Sequence, residues 1–303
     1  MTAVPERDRT TRAARPARPA RGHLARTGAA AAAVLALVVA AAGTASAQEG
    51  PGFATPDEAT VVPGVMTYTA GEAQCTANFV FTDGADVFLG QAAHCAGTGA
   101  TTEIDGCETG SLPLGTPVEI EGAEHPGTLA YSSWLTMQET GETDPDACRY
   151  NDFALVRIDP ADIGRTNPTM PFYGGPTGVD PDGTRAGDPV FGYGNSSLRQ
   201  GITALRPKTG VSLGTTGGGW THQVGTVLPG IPGDSGSGYL SGDGTALGVL
   251  STLNLAPVAG ANGVSDLRSA LDHANGPGGF GGALRLVTGE LPFTPNPVPV
   301  DLG

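Results

Sequence analysis

Short runs in which apolar and polar positions alternate recur along the chain, each bounded by Gly, Pro, Asn or Asp. Side chains on a strand point in turn to opposite faces, so such runs read as half-buried β-strands. They cover residues 75–82, 87–93, 117–121, 153–158, 188–193, 220–227, 238–240 and 246–253. Thr82-Asp83-Gly84-Ala85-Asp86 reads as the turn of a hairpin joining the first two. Strand-like and helix-like runs do not alternate, which argues against a parallel sheet. A helical period occurs once. Leu267, Ala270, Leu271 and Ala274 recur at i, i+3, i+4 and i+7, Ser265 stands where a cap belongs, Asp266 suits the positive end, and Gly276 can stop the turn. This predicts a helix over 265–275, followed by a last strand over 283–288.

Composition supports the same class. The 303 residues include 48 Gly and 25 Pro, residues that fit poorly inside long helices, and only 15% are charged. That balance is expected of an all-β sandwich or barrel protein. The Gly- and Pro-rich stretch 173–183 divides the strands into two groups.

The charge is unevenly placed. Seven of the 16 basic residues precede position 27, an apolar stretch from Gly28 to Gly43 follows, and Ala45-Ser46-Ala47 closes it. A basic start, a short apolar core and a small-x-small site predict a secretory signal over 1–47. The alternative, a membrane anchor, falls short of the ~20 apolar residues that span a bilayer. Without residues 1–47 the chain keeps 9 basic and 28 acidic residues, a net charge of -19. Such a chain should repel nucleic acid and anionic membranes. Residues 48–64 are polar and aperiodic and read as a flexible lead-in or short propeptide, and 290–303 as a Pro-rich tail. All four Cys, at 75, 95, 107 and 148, lie beyond the signal. An even number in an exported chain favours two disulfides, and no Cys-x-x-Cys spacing supports zinc, so neither metal nor cofactor is expected.

Three segments carry candidate chemistry. Gly233-Asp234-Ser235-Gly236-Ser237 puts a serine on a tight loop where backbone N–H groups can converge on a developing oxyanion, although the same residues could be an ordinary turn. Gly90-Gln91-Ala92-Ala93-His94-Cys95 places a histidine after an apolar strand. Asn151-Asp152-Phe153 leads into an alternating strand.

Together, in the order His94, Asp152, Ser235, these segments resemble the chymotrypsin-fold serine peptidases, and most of all their small secreted bacterial members. Cys75-Thr76-Ala77-Asn78-Phe79 is similar to a first-barrel strand of that family, Gly192-Tyr193-Gly194-Asn195-Ser196 to the strand opening the second barrel, and Leu284-Arg285-Leu286-Val287-Thr288-Gly289 to the closing strand. The resemblance implies a peptidase domain over 65–289. It comprises two antiparallel β-barrels, about 65–159 and 186–255, with the helix packed on the second and the cleft between them. It implies Ser235 as nucleophile, His94 as general base, Asp152 as its orienting carboxylate, and the N–H groups of Gly233 and Ser235 as the oxyanion hole. It also implies disulfides Cys75–Cys95 and Cys107–Cys148, a peptide or protein substrate, and a monomer.

Several positions depart from that pattern. Gln91 replaces a Thr or Ser, Ser237 replaces a Gly, and the position six before the nucleophile, expected at the pocket base, is Pro229 rather than Asp. Trypsin-like cleavage is therefore not expected. No His precedes Ser251, where glutamate-specific relatives carry one. The substrate-pairing segment reads Ser251-Thr252-Leu253, and Leu253 in place of Gly should narrow the pocket. Two other readings compete: a protease-fold protein that only binds, and an esterase with the order Ser, Asp, His, to which Asp266 and His273 fit poorly because both lie on the predicted helix.

Overall fold

The computed structural model describes residues 52–70, 73–100, 103–254 and 258–295. The expected signal 1–47 and the end of the tail from 296 lie outside them.

The first lobe contains β1 (Met66–Thr69), β2 (Ala73–Thr76), β3 (Val80–Thr82), β4 (Val87–Gln91), β5 (Pro117–Ile120), β6 (Gly127–Ser132) and β7 (Ala154–Arg157). Two helices, α1 (Ser133–Thr140) and α2 (Pro145–Tyr150), lie between β6 and β7. The second lobe contains β8 (Pro189–Tyr193), β9 (Pro207–Thr216), β10 (Thr221–Thr226), β11 (Gly238–Leu240), β12 (Ala246–Leu253) and β13 (Asn262–Asp266), followed by α3 (Leu267–Ala274). A two-residue strand, β14 (Arg285–Leu286), returns to the first lobe.

The second lobe is a closed barrel in the order β10-β13-β12-β11-β8-β9. The first is an eight-stranded sheet, β14-β3-β4-β7-β6-β5-β1-β2, with β14 and β2 at its ends. All strand pairs in both sheets are antiparallel. Val80, Leu89, Leu129 and Val156 fill the first lobe, and Val190, Val224, Leu247 and Val264 the second. A third apolar cluster draws on both lobes, with Phe79, Phe81 and Phe153 from one and Phe191, Leu240 and Val249 from the other. It also takes the buried face of α3, formed by Leu267, Ala270, Leu271 and Ala274. Each large apolar side chain so buried contributes about 1.5–3 kcal/mol.

Several boundaries differ from those read in the sequence. Helix α3 starts two residues late, because Asp266 caps it, its Oδ1 accepting from Ser269 N at 2.7 Å. Ser265 instead belongs to β13, and its hydroxyl donates to Tyr150 O at 2.6 Å. The second barrel runs on to 266, since β13 closes it. Helices α1 and α2 were not expected; α2 does carry a start signal, Asp144 accepting from Asp146 N with Pro145 in the first turn. Residues 52–64, read as a flexible lead-in, are strapped to the first lobe. Ala54 N donates to Thr166 O, Thr60 N and Val61 N donate to Arg165 O, and Val61 is fully buried.

Two disulfides are present, Cys75–Cys95 and Cys107–Cys148. They close loops of 20 and 41 residues. On the chain-entropy account, replacing Cys107 and Cys148 by Ala should lower unfolding free energy by about 3–4 kcal/mol, measured by guanidinium titration of the variant against wild type. No helix among the described residues is long and apolar enough to cross a membrane.

Candidate active site

His94 sits on a single helical turn, Ala93–Ala96, immediately after β4. The Cys75–Cys95 bond ties that turn to β2. Asp152 lies between α2 and β7, and the chain on either side of it is fixed by one hydroxyl. Ser133 Oγ donates to Asn151 O at 2.7 Å and accepts from Phe153 N at 3.1 Å. So held, Asp152 Oδ1 accepts from His94 N at 2.8 Å, and Oδ2 lies 2.6 Å from His94 Nδ1. Oδ2 also accepts from Ser251 Oγ at 2.6 Å. The Asp152 side chain is 6% exposed and that of His94 26%, so the carboxylate is buried while the imidazole reaches the cleft.

Ser251 owes its position to a bulge. Leu250 pairs with Val264 and Thr252 with Gly263, leaving Ser251 as the extra residue of β12. Its hydroxyl is given to Asp152, a role separate from the substrate-backbone pairing expected of residues 251–253.

Burial by itself would lower the His94 pKa, but the adjacent Asp152 charge and hydrogen bond outweigh it and raise the value above that of an ordinary imidazole. Burial likewise works against the Asp152 carboxylate. His94, the Ser251 hydroxyl and the His94 backbone N–H together hold it below the ordinary range.

Ser235 stands in a loop held from several sides. Gly233 and Gly236 have φ of +94° and +88°, a region side chains other than glycine rarely adopt. A Cβ at Gly236 would lie 2.6 Å from Thr76 O and 2.9 Å from Ala92 N, so the loop fits against the first lobe only with glycine there. Asp234 is fully buried beneath the loop. Its Oδ2 lies 3.0 Å from Arg199 Nη2 and 2.9 Å from Lys208 Nζ, and its Oδ1 accepts from Ser196 N at 2.9 Å. Removing either cation would leave a buried charge poorly compensated, a costly change in a low-dielectric interior. From the first lobe, Gln74 Nε2 and Thr76 Oγ1 donate to Gly233 O at 2.8 and 2.7 Å, and Asn78 Nδ2 to Gly236 O at 3.0 Å.

His94 and Ser235 line one cleft of about 710 Å³, together with Gly233, Ile231, Leu250, Ser251, Thr252 and Leu253. Among the described residues no hydrogen bond joins His94 to Ser235 Oγ, and neither Gly233 N nor Ser235 N has a partner. Two backbone donors therefore stand free in the loop of the half-buried Ser235, with an imidazole in the same cleft. That is the equipment acyl transfer requires.

The cleft differs from the sequence reading at Pro229. Pro229 does not line it; its carbonyl accepts from Arg199 Nη2 at 2.7 Å. Asn262 lines it, and holds Gly230 through both amide atoms. Glu103, on the first-lobe side, is the acidic residue that lines it.

No family model matches the sequence, and no curated protein matches it. Solved structures do. Thermobifida fusca Protease A is 21% identical, covering 76% of this chain and 99% of its own, with a TM-score of 0.48. Cellulomonas bogoriensis chymotrypsin is 17% identical, covering 75% and 98%, with a TM-score of 0.46. The Nocardiopsis protease is 19% identical, covering 75% and 98%, with a TM-score of 0.43. All three are bacterial chymotrypsin-like serine proteases. A closed six-stranded barrel beside a second antiparallel sheet, with a short helix near the C-terminus, is a double-barrel fold of the chymotrypsin type.

Proposed function

We propose that the protein is a secreted serine endopeptidase. The observation that carries the reading is the meeting of His94, paired to buried Asp152, with Ser235 and the two free N–H groups of Gly233 and Ser235 in one cleft. Ser235 Oγ attacks the substrate carbonyl and His94 Nε2 takes its proton. The tetrahedral oxyanion accepts from Gly233 N and Ser235 N. His94 returns the proton to the leaving amine, and water then releases the acyl group by the same steps. Asp152 fixes the tautomer in which Nδ1 carries hydrogen and Nε2 is free to accept.

The direct test is a fluorophosphonate probe on the protein lacking residues 1–47, with the adduct mapped by peptide mass. Attachment to Ser235 and hydrolysis of casein support the reading; a protein that neither reacts nor hydrolyses favours the binding-protein alternative. Export is supported by the basic and apolar N-terminal pattern and by the two disulfides. We expect the mature chain to be a monomer that binds neither nucleic acid nor membrane.

For the residue before the scissile bond, the cleft walls from Gly230 to Gly233 and from Leu250 to Leu253 carry no acidic group. Those walls offer a buried Arg or Lys side chain no counter-charge, the acidic Glu103 standing on the first-lobe side of the cleft, and an unpaired buried cation costs several kcal/mol. Ile231, Leu250 and Leu253 favour a small or medium apolar side chain. Profiling against a mixed peptide library is expected to show that preference, and dominant cleavage after Arg or Lys would contradict it.

A further inference from the structure

Resting on the peptidase reading, we infer that Ser196 is a positioning residue for catalysis: its hydroxyl sets the direction in which the Gly233 N–H points. That N–H and the carbonyl of Pro232 belong to one planar peptide unit, and in a trans unit the two point in opposite directions. Holding the carbonyl on the far side therefore aims the N–H. Ser196 Oγ donates to Pro232 O at 2.6 Å, and among the described residues no other group donates to that oxygen.

The neighbouring peptide unit is fixed independently. Gly233 O accepts from both Gln74 and Thr76, and Asp234 N donates to Ile231 O at 2.8 Å. With that unit held at both ends, the remaining freedom of the loop is rotation of the Pro232–Gly233 unit. Gly233 has no Cβ to oppose such rotation. Ser196 is its one side-chain tether, and the tether is itself immobile. Ser196 is 1% exposed, its N donates to Asp234 Oδ1, and its Oγ accepts from Leu198 N at 3.2 Å. Gln74 joins the two halves of the clamp, its Oε1 accepting from Ser197 N at 3.1 Å while its Nε2 holds Gly233 O. Ser196 does not line the cleft, so it acts through the peptide unit and not on the substrate.

The test uses inactivation of the mature protein by an alkyl fluorophosphonate, which separates binding (KI) from the bond-forming step (kinact). Full loss of one oxyanion donor costs about 10²–10³ in rate. Ser196→Ala loosens the donor and should lower kinact about ten- to a hundredfold, leaving KI within about twofold and the pH midpoint of inactivation unchanged. Ser196→Thr keeps the hydroxyl and should recover most of that loss. A kinact for Ser196→Ala within about twofold of wild type overturns the inference. So does a loss shared with KI or accompanied by a moved midpoint, and so does a Thr variant as slow as the Ala variant. A wild-type protein that does not react at all overturns the peptidase reading itself, a result distinct from each of these.

Discussion

Replacing Ser235 with Ala is expected to lower kcat about a million-fold, measured on the best peptide from the library profile. When a nucleophile and its base act as one unit, loss of the nucleophile removes nearly all that the unit supplies, and what remains is due to binding and the oxyanion donors. The variant should fold as wild type does. Ser235 is partly exposed and its hydroxyl has no hydrogen bond among the described residues, so the substitution removes no packed group and no buried bond. Its thermal midpoint should match wild type, which separates lost chemistry from lost structure. Retention of even a few percent of wild-type turnover would place the nucleophile elsewhere.

Asp152→Asn should cost about 10⁴ in kcat. The carboxylate accepts from His94 N, His94 Nδ1 and Ser251 Oγ. An amide at this position can turn an N–H toward His94 Nδ1, which stabilises the tautomer protonated on Nε2, and that nitrogen can then no longer take the Ser235 proton. The pH profile should change as well. In wild type, activity is lost as pH falls through the His94 pKa, which lies above the ordinary imidazole value of about 6.5 because Asp152 outweighs burial. Without the charge, burial acts unopposed and the acid limb should move to lower pH. An Asn variant with an unmoved limb would show that Asp152 does not control His94.

The same pair affects stability with the opposite sign. A raised His94 pKa gives stability that is full below the unfolded imidazole value and fades as pH rises through the folded one. A lowered Asp152 pKa gives stability that is full above the unfolded carboxyl value and fades as pH falls through the folded one. Both contributions are complete only between about pH 4 and 6.5. The base must be neutral to work, so activity rises where this part of the stability declines.

In the first lobe β1 and β6 went unread, and the strands that were most legible are those with apolar runs, β3, β4 and β7, which carry Val80, Phe81, Val87, Phe88, Leu89, Leu155 and Val156 and are buried on both faces. Strands β9 and β13 of the second lobe were not legible. The buried positions of β9 are Lys208 and Ser212, and β13 is buried throughout as Asn262-Gly263-Val264-Ser265-Asp266. These side chains face inward because partners wait there, Asp234 for Lys208 and His222 for Asp266, and hydrophobic patterning is blind to an interior lined with paired polar groups. The three candidate site segments could be found because each carries its signal within a few neighbouring residues. Gln74, Thr76 and Ser196 could not, since Gln74 and Thr76 reach Gly233 across 159 and 157 residues of chain. Pro229, found by counting along the chain, does not line the cleft, and its carbonyl accepts from Arg199 Nη2.

The return of the chain to the first lobe gives the molecule an order of assembly. β14 pairs with β3, and Phe280 lies edge-on to Phe88 with ring centroids 5.4 Å apart and beside Tyr131 at 5.8 Å. Phe293 then crosses to Phe191 of the second barrel, at 5.4 Å. On a ribosome, every residue of the second lobe is made before the edge strand of the first. The half carrying His94 and Asp152 is therefore completed only after the half carrying Ser235 has been synthesised. Closing the edge of the first lobe needs Phe280 and β14, which the chain reaches only after the whole of the second.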